Sequence, residues 1–303
     1  MKIESHDNPL ITVLIPMYNA ESFIKNTIDS VLYQTFTHFE ILVLDDSSID
    51  SSAEIIKSYD DSRVKYIACS HDFIKTLNHG LQLAKGKYIA LLDHDDLMMP
   101  YRLQIQYDYL ESNLDIVACG GYMHSFGMYS KLIEAPLEHD EILKEMIKRS
   151  PMLNPTGFIR RDVLGIDKVK YEYGYSFAAD FKFWSDLIKI GKIANIPIVL
   201  TLYRTSKTQT SILFSEDSTI GTNQIQHEIV EYLFSLIGAD NEFYSILDEK
   251  FLPGLNELGS RSFFSPPVYF LFMYELIRGL NKSGAINVSF HDSSTNSIKS
   301  KAL

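Results

Sequence analysis

The sequence predicts an α/β protein: a doubly wound, mostly parallel sheet followed by a C-terminal helical extension. Two features of residues 1–100 carry this expectation. Four short apolar runs, at 11–16, 39–44, 64–68 and 88–92, are rich in β-branched side chains and lack strict alternation, as strands buried on both faces do. Between them the apolar period becomes helical: Ile24, Ile28, Val31 and Leu32 fall on one face, Ile55 and Ile56 mark a second helix, and Leu77, Leu81 and Ala84 a third. The β-α-β-α-β-α-β order requires crossover connections, which are right-handed in parallel sheets.

Beyond Pro100 the pattern predicts a helix over 101–110, a strand over 116–119 ending in a Gly-rich turn, and a helix near 138–148. Residues 151–204 are less regular, with a strong helix at 179–190 and a strand-like stretch at 192–203. These elements divide the chain into a main domain, 1–214, with halves 1–100 and 101–214, then a helical extension, 215–280. A Ser-, Asn- and Lys-rich tail, 281–303, is expected to fray.

With 46% hydrophobic and 22% charged residues in 303, the chain can bury a full core. A formal net charge of −11 argues against a nucleic-acid partner, because such partners are met by clustered Lys and Arg. A bound anion would need a cation or helix-end amides. Cys69 and Cys119 are far apart and lack metal-ligand spacing, so both read as free thiols. The N-terminus is polar and shows no signal segment, which makes a cytoplasmic location the expectation. No run approaches the ~20 apolar residues that span a bilayer. Residues 263–274, from Phe263-Phe264 to Tyr274, read either as a buried helix or as an aromatic surface resting on the inner face of a membrane.

Ligands of doubly wound sheets collect beyond the carboxyl ends of the strands. Those ends carry Pro16, Tyr18 and Asn19, then Asp45-Asp46-Ser47-Ser48 with Asp50, then Asp93-His94-Asp95-Asp96. Three carboxylates within four residues repel one another unless a cation neutralises them, and hard oxygen donors favour Mg²⁺ or Mn²⁺. The same acids would equally serve as an acidic turn capping the next helix. Ser48 or Asp50 can cap the helix through Ile55-Ile56, which leaves an acid of the Asp45-Asp46 pair for a ligand's hydrogen-bond donor. Lys75 could meet an anion or stay solvated, and Arg204 could reach the same anion or form a structural ion pair. A signalling receiver would begin with the strand bearing the acidic pair, whereas a complete β-α unit precedes it here. A phosphohydrolase would want a small residue where Leu97 stands.

Several of these segments belong to a longer ordered pattern. Its residues are Pro16-Met17-Tyr18-Asn19-Ala20, Ser30-Val31-Leu32 with Gln34-Thr35-Phe36, and Phe39 through Ser48 with Asp50. Leu77-Asn78 with Gly80, Ala84 with Gly86, Tyr88-Ile89, the acidic cluster up to Pro100, Asn154-Pro155-Thr156, Ala179-Asp180 before Trp184, and Tyr203-Arg204 with Gln209 and Ser211 follow in order. This ordered set resembles family 2 glycosyltransferases, and the resemblance implies an A-type glycosyltransferase fold with 1–100 as the nucleotide-binding half and 101–214 as the acceptor half. It implies transfer from a nucleotide-diphosphate sugar, a UDP-sugar above all, to a saccharide or lipid-linked saccharide hydroxyl with inversion, in cell-surface polysaccharide or glycoconjugate synthesis.

By position, Tyr18 would pack on the base and Asp46 bind its edge, with Pro16, Asn19, Lys75 and Arg204 also lining the donor site. Asp93 and Asp95 would form the D-x-D element, Asp95 being the principal ligand of Mn²⁺ or Mg²⁺, with His94 facing outward between them. Asp180 would be the general base, against a purely local role capping helix 179–190. Trp184 reads as a core anchor or as a platform for the acceptor sugar. The sequence departs from the family pattern at Ala179, where Glu is usual, and at Ser206, where His is common. These departures motivate the alternative of a non-catalytic nucleotide-sugar-binding protein of the same fold.

Overall fold

The computed structural model of the chain describes residues 8–175, 178–206, 221–226, 228, 229 and 232. All elements expected in the first half are present. Strands β1 (Ile11–Met17), β2 (Phe39–Asp45), β3 (Val64–Ala68) and β4 (Tyr88–Leu91) alternate with helices α1 (Ile24–Leu32), α2 (Ser52–Lys57) and α3 (Phe73–Leu83). β1 runs parallel to β2 on one side and to β4 on the other, and β2 runs parallel to β3. Every residue of β2 and β4 is buried, which is why these runs are continuously apolar rather than alternating. On α1 the expected face packs inward, with Ile24, Ile28 and Val31 fully enclosed.

The second half contains β5 (Leu97–Met98), α4 (Arg102–Ser112), β6 (Ile116–Gly127), β7 (Leu132–Ile133), α5 (His139–Glu145), β8 (Phe158–Arg160), α6 (Ala179–Ile190) and β9 (Lys192–Thr205). The sheet order is β3-β2-β1-β4-β8-β6-β9-β5, with β7 on β6. β8 is antiparallel to both β4 and β6, whereas β6 and β9 form a long parallel ladder. The sheet is thus parallel through its first half and mixed beyond the short joint that β8 makes.

The structure corrects the Gly-rich turn. Gly120 and Gly121 lie inside β6, whose ladder with β9 shifts register beside Gly121 and Tyr122. These glycines serve close approach: a Cβ on Gly120 would lie 2.4 Å from Asn195 Oδ1, and one on Gly121 2.4 Å from Leu200 Cδ1. On the facing strand the ladder skips Pro197 and Ile198, and Pro197 has no N–H to give it. β8, in the middle of the sheet, has only three residues and carries no readable period. Apart from residues 221–226, 228, 229 and 232, the expected helical extension and tail lie outside the described residues, as does segment 263–274. Among the described residues no helix is long and apolar enough to cross a membrane.

Candidate active site

The ends of β1 and β2 leave the sheet through a strained pair of turns. Asn19 and Ser47 are the non-glycine residues with positive φ among those described, at 48° and 68°. The two turns are tied together: Asn19 N–H donates to Ser48 Oγ at 3.0 Å, Ile49 N–H to Asn19 Oδ1 at 2.9 Å, and Glu21 N–H to Asp50 Oδ2 at 3.0 Å. Ser48 is therefore not the cap of α2. Asp50 accepts Ser52 N–H at 3.0 Å at the start of that helix and bridges to the first turn as well.

Asp46 is buried, and its carboxylate fastens the end of β2 to the start of α3. Its Oδ1 accepts Asp72 N–H at 2.9 Å and the Thr76 hydroxyl at 2.6 Å, while Oδ2 lies 3.0 Å from His71 Nδ1. The His71 ring stacks on Tyr18 with centroids 4.7 Å apart. Tyr18 itself is 42% exposed. Lys75 is exposed on the first turn of α3, which Asp72 caps by accepting the Lys75 N–H at 3.0 Å.

Beyond β4 the acidic turn is enclosed. Asp93 lines a hollow that also receives Asp180 and is otherwise walled by groups such as Pro16, Phe73, Tyr171 and Asn154. Burial, then the charges of Asp95 and Asp180, push the Asp93 carboxyl up to about 7, against the pull of Arg102. Asp96 is fully buried; its Oδ1 accepts Arg204 N–H at 2.8 Å and its Oδ2 has no hydrogen-bond partner. Burial, reinforced by Asp93, holds Asp96 well above the usual carboxylate range. His94 does not face outward. It is half-buried, with Nδ1 3.3 Å from the Pro16 carbonyl of β1, and its turn is tied to α1 by the Thr27 hydroxyl, 2.8 Å from His94 O and 2.9 Å from Asp96 O.

Two arginines brace this turn. Arg204 Nε donates to Asp95 O at 2.8 Å, and its guanidinium lies 4.5 Å from the Phe23 ring and 4.6 Å from the Phe126 ring. Arg102 is fully buried and gives all five donors to neutral acceptors. Nε reaches Gln106 Oε1 at 2.9 Å, Nη1 reaches Pro155 O at 2.6 Å and Thr201 Oγ1 at 3.1 Å, and Nη2 reaches Leu91 O at 2.8 Å and Gly157 O at 3.1 Å. Burial pulls Arg102 down to about 9, opposed by Cys119, Asp96 and Asp93. Sequence reasoning passed over this residue, which reads as an ordinary surface position near the start of a helix.

Asp180 sits in the first turn of α6, where its Oδ1 accepts Phe181 N–H at 2.7 Å. A helix N-terminus lowers a carboxyl's pKa, but burial outweighs these backbone bonds and raises Asp180. Trp184 is fully buried and donates from Nε1 to Asn154 Oδ1 at 3.2 Å, so it anchors the core and orients a residue of the hollow. The structure thus brings Asp93 and Asp180 together and sets Tyr18 and Asp46 in a separate cluster with His71. Gln209 and Ser211 lie outside the described residues.

Comparison with known proteins gives a consistent picture. The model of Glycosyl transferase family 2 matches residues 12–169. An uncharacterized glycosyltransferase of Haemophilus influenzae is 32% identical over 247 residues, 77% of this chain and 76% of its own. Residues 1–349 of TarS from S. aureus, in complex with UDP-GlcNAc, superimpose with a TM-score of 0.57 at 16% identity over 74% of this chain and 72% of that one. The mannosyltransferase PcManGT from Pyrobaculum calidifontis, in complex with GDP-Man and Mn²⁺, gives 0.52 at 14% identity over 91% and 87%. At these identities the two structures share the fold of this chain.

Proposed function

The chain belongs to glycosyl transferase family 2, and on that premise we propose that it moves a sugar with inversion from a nucleoside diphosphate donor, a UDP-sugar, to a saccharide hydroxyl. The observation that carries the reading is the pairing of Asp93 and Asp180 on one hollow, with the Asp180 carboxyl raised by burial. A base works best when its pKa approaches the working pH. Asp180 takes the proton of the acceptor hydroxyl as that oxygen attacks the anomeric carbon. The bond from that carbon to the diphosphate breaks on the opposite face, and the nucleotide leaves with the electron pair. Tyr18 and Asp46 hold the base; Pro16 and Asn19 shape its seat. Lys75 is placed to meet phosphate charge, while Arg204 acts by steadying the acidic turn.

The acidic turn fits a divalent cation. Asp93 bears the charges of Asp95 and Asp180, and Asp96 Oδ2 is buried without a partner. Among the described residues no three His, Cys, Asp or Glu side chains converge as a ligand cage. An ion such as Mg²⁺ or Mn²⁺ takes one or two carboxylates and completes its shell with water and substrate phosphate. Asp93 and Asp95 would hold it, and it would neutralise charge developing on the departing diphosphate.

A panel of UDP- and GDP-sugars, read by nucleotide release with Mg²⁺, Mn²⁺ or chelator, tests the reaction. Metal-dependent release from a UDP-sugar is the expected result. Binding of donor with no release, even as slow hydrolysis, would favour the pocket without turnover that Ala179 and Ser206 suggest.

A further inference from the structure

His71 has no assigned role, yet it makes the two contacts expected of a nucleobase. Its ring stacks on Tyr18 at 4.7 Å and an interplanar angle of 29°, and its Nδ1 lies 3.0 Å from Asp46 Oδ2. A base bound here would stack on the same tyrosine and donate a ring N–H to the same carboxylate. Asp46 cannot offer its other oxygen instead, because Oδ1 is already engaged by Asp72 N–H and the Thr76 hydroxyl in the junction of β2 with α3. The same imidazole nitrogen also lies 3.0 Å from the Asp46 carbonyl oxygen, so both acceptors of Asp46 that face the seat are covered.

We propose that His71 is a plug of the nucleobase seat: its imidazole fills the place between Tyr18 and Asp46 Oδ2 and is displaced by the base of the donor. The inference rests on the assignment of Tyr18 and Asp46 to the base. His71 suits the role because its side chain is 65% exposed while Asp46 is 5% exposed, so the ring can swing away without opening the core. One side-chain contact made by an exposed imidazole and one ring stack are weak enough for a ligand to displace. Any base must therefore outbid the histidine. A base that stacks on Tyr18 and donates a ring N–H to Asp46 Oδ2, as uracil and guanine both can, replaces the two contacts that the imidazole gives up.

The fraction of molecules with an open seat scales the apparent affinity, so removing the plug tightens binding. The test is calorimetric titration of UDP and GDP into the full chain as wild type, His71→Ala, His71→Asn and Asp46→Ala, each checked for folding by circular dichroism. His71→Ala and His71→Asn should tighten UDP binding about two- to tenfold. Asp46→Ala should weaken it. GDP binding at the same seat should tighten by the same factor in both His71 variants, and addition of UDP to wild type should shift the His71 ring resonances. Weaker binding in the His71 variants would make the histidine a ligand of the base and overturn the plug. Unchanged UDP affinity in those variants with weakened Asp46→Ala would overturn the plug alone. Unchanged affinity in all three would place the base elsewhere and overturn the seat itself.

Discussion

Two edges of the same sheet bury carboxylates and treat them in opposite ways. At the edge where β1 and β2 begin, Glu40 is buried but accepts the Thr12 hydroxyl at 2.7 Å, Lys85 N–H at 2.9 Å and Lys65 Nζ at 2.6 Å. Burial raises its pKa, yet these partners, Lys65 foremost, outweigh it and hold Glu40 below the usual range. At the opposite edge Asp93, Asp96 and Asp180 are raised, because burial there is reinforced by like charge or only partly offset by backbone N–H groups. A protein that satisfies one buried acid completely has the means to satisfy the others. The uncompensated acids at this end of the strands are the feature that supports the proposed donor and cation site there.

The largest expected effect breaks the ligand edge alone. Asp180→Asn should lower kcat about 10²- to 10⁴-fold with donor affinity retained; a folded variant with near-normal turnover would return Asp180 to a structural role. Next, Arg102→Met should cost at least about 3 kcal/mol of stability by stripping the donors from five buried acceptors. Arg102→Lys should restore only part of it, since an ammonium presents three donors from a single nitrogen. Chemical denaturation measures both, and a wild-type midpoint in either would show that water replaces the guanidinium.

Glu40→Gln should cost about 1.5–3 kcal/mol at neutral pH while leaving turnover intact. Because the folded pKa of Glu40 is lowered, its contribution is complete above its ordinary value of 4.5 and is lost as pH falls through the folded value. Wild type and Glu40→Gln should therefore converge in strong acid. Asp93 has the opposite sign: raised from 3.8 to about 7, it favours the fold below about 4, and that contribution disappears as pH rises through 7. In chelator the melting temperature should fall modestly between pH 5.5 and 8, and Asp93→Asn should flatten the slope. A flat wild-type profile would mean that the turn relaxes its charges without a cation.

The parallel half of the sheet was legible because strands buried on both faces write continuous apolar runs, and β1 to β4 appear within a residue of the expected bounds. Asp93 and Asp180 were legible as motif positions, though not the hollow they share. The unread parts share a cause: their information is non-local. Arg102 meets acceptors as distant as Pro155 and Thr201, 53 and 99 residues away. His71 is an exposed histidine until Tyr18 and Asp46 are brought to it. Gly120 and Gly121 look like a turn until Asn195 and Leu200 arrive against them.

The short joint at β8 has a consequence for the order in which the chain folds. β1 to β4 are complete before β8 begins in the sequence, and among the described residues β4 joins the later strands through Phe158, Ile159 and Arg160. A chain emerging from the ribosome can therefore assemble β1 to β4 while the edge of β4 is still bare. That edge, Tyr88-Ile89-Ala90, is apolar, the kind of template on which stray strands add. The time between the appearance of β4 and of β8 is thus the window in which nascent molecules are most exposed to mispairing, and help from a chaperone would count for most within it.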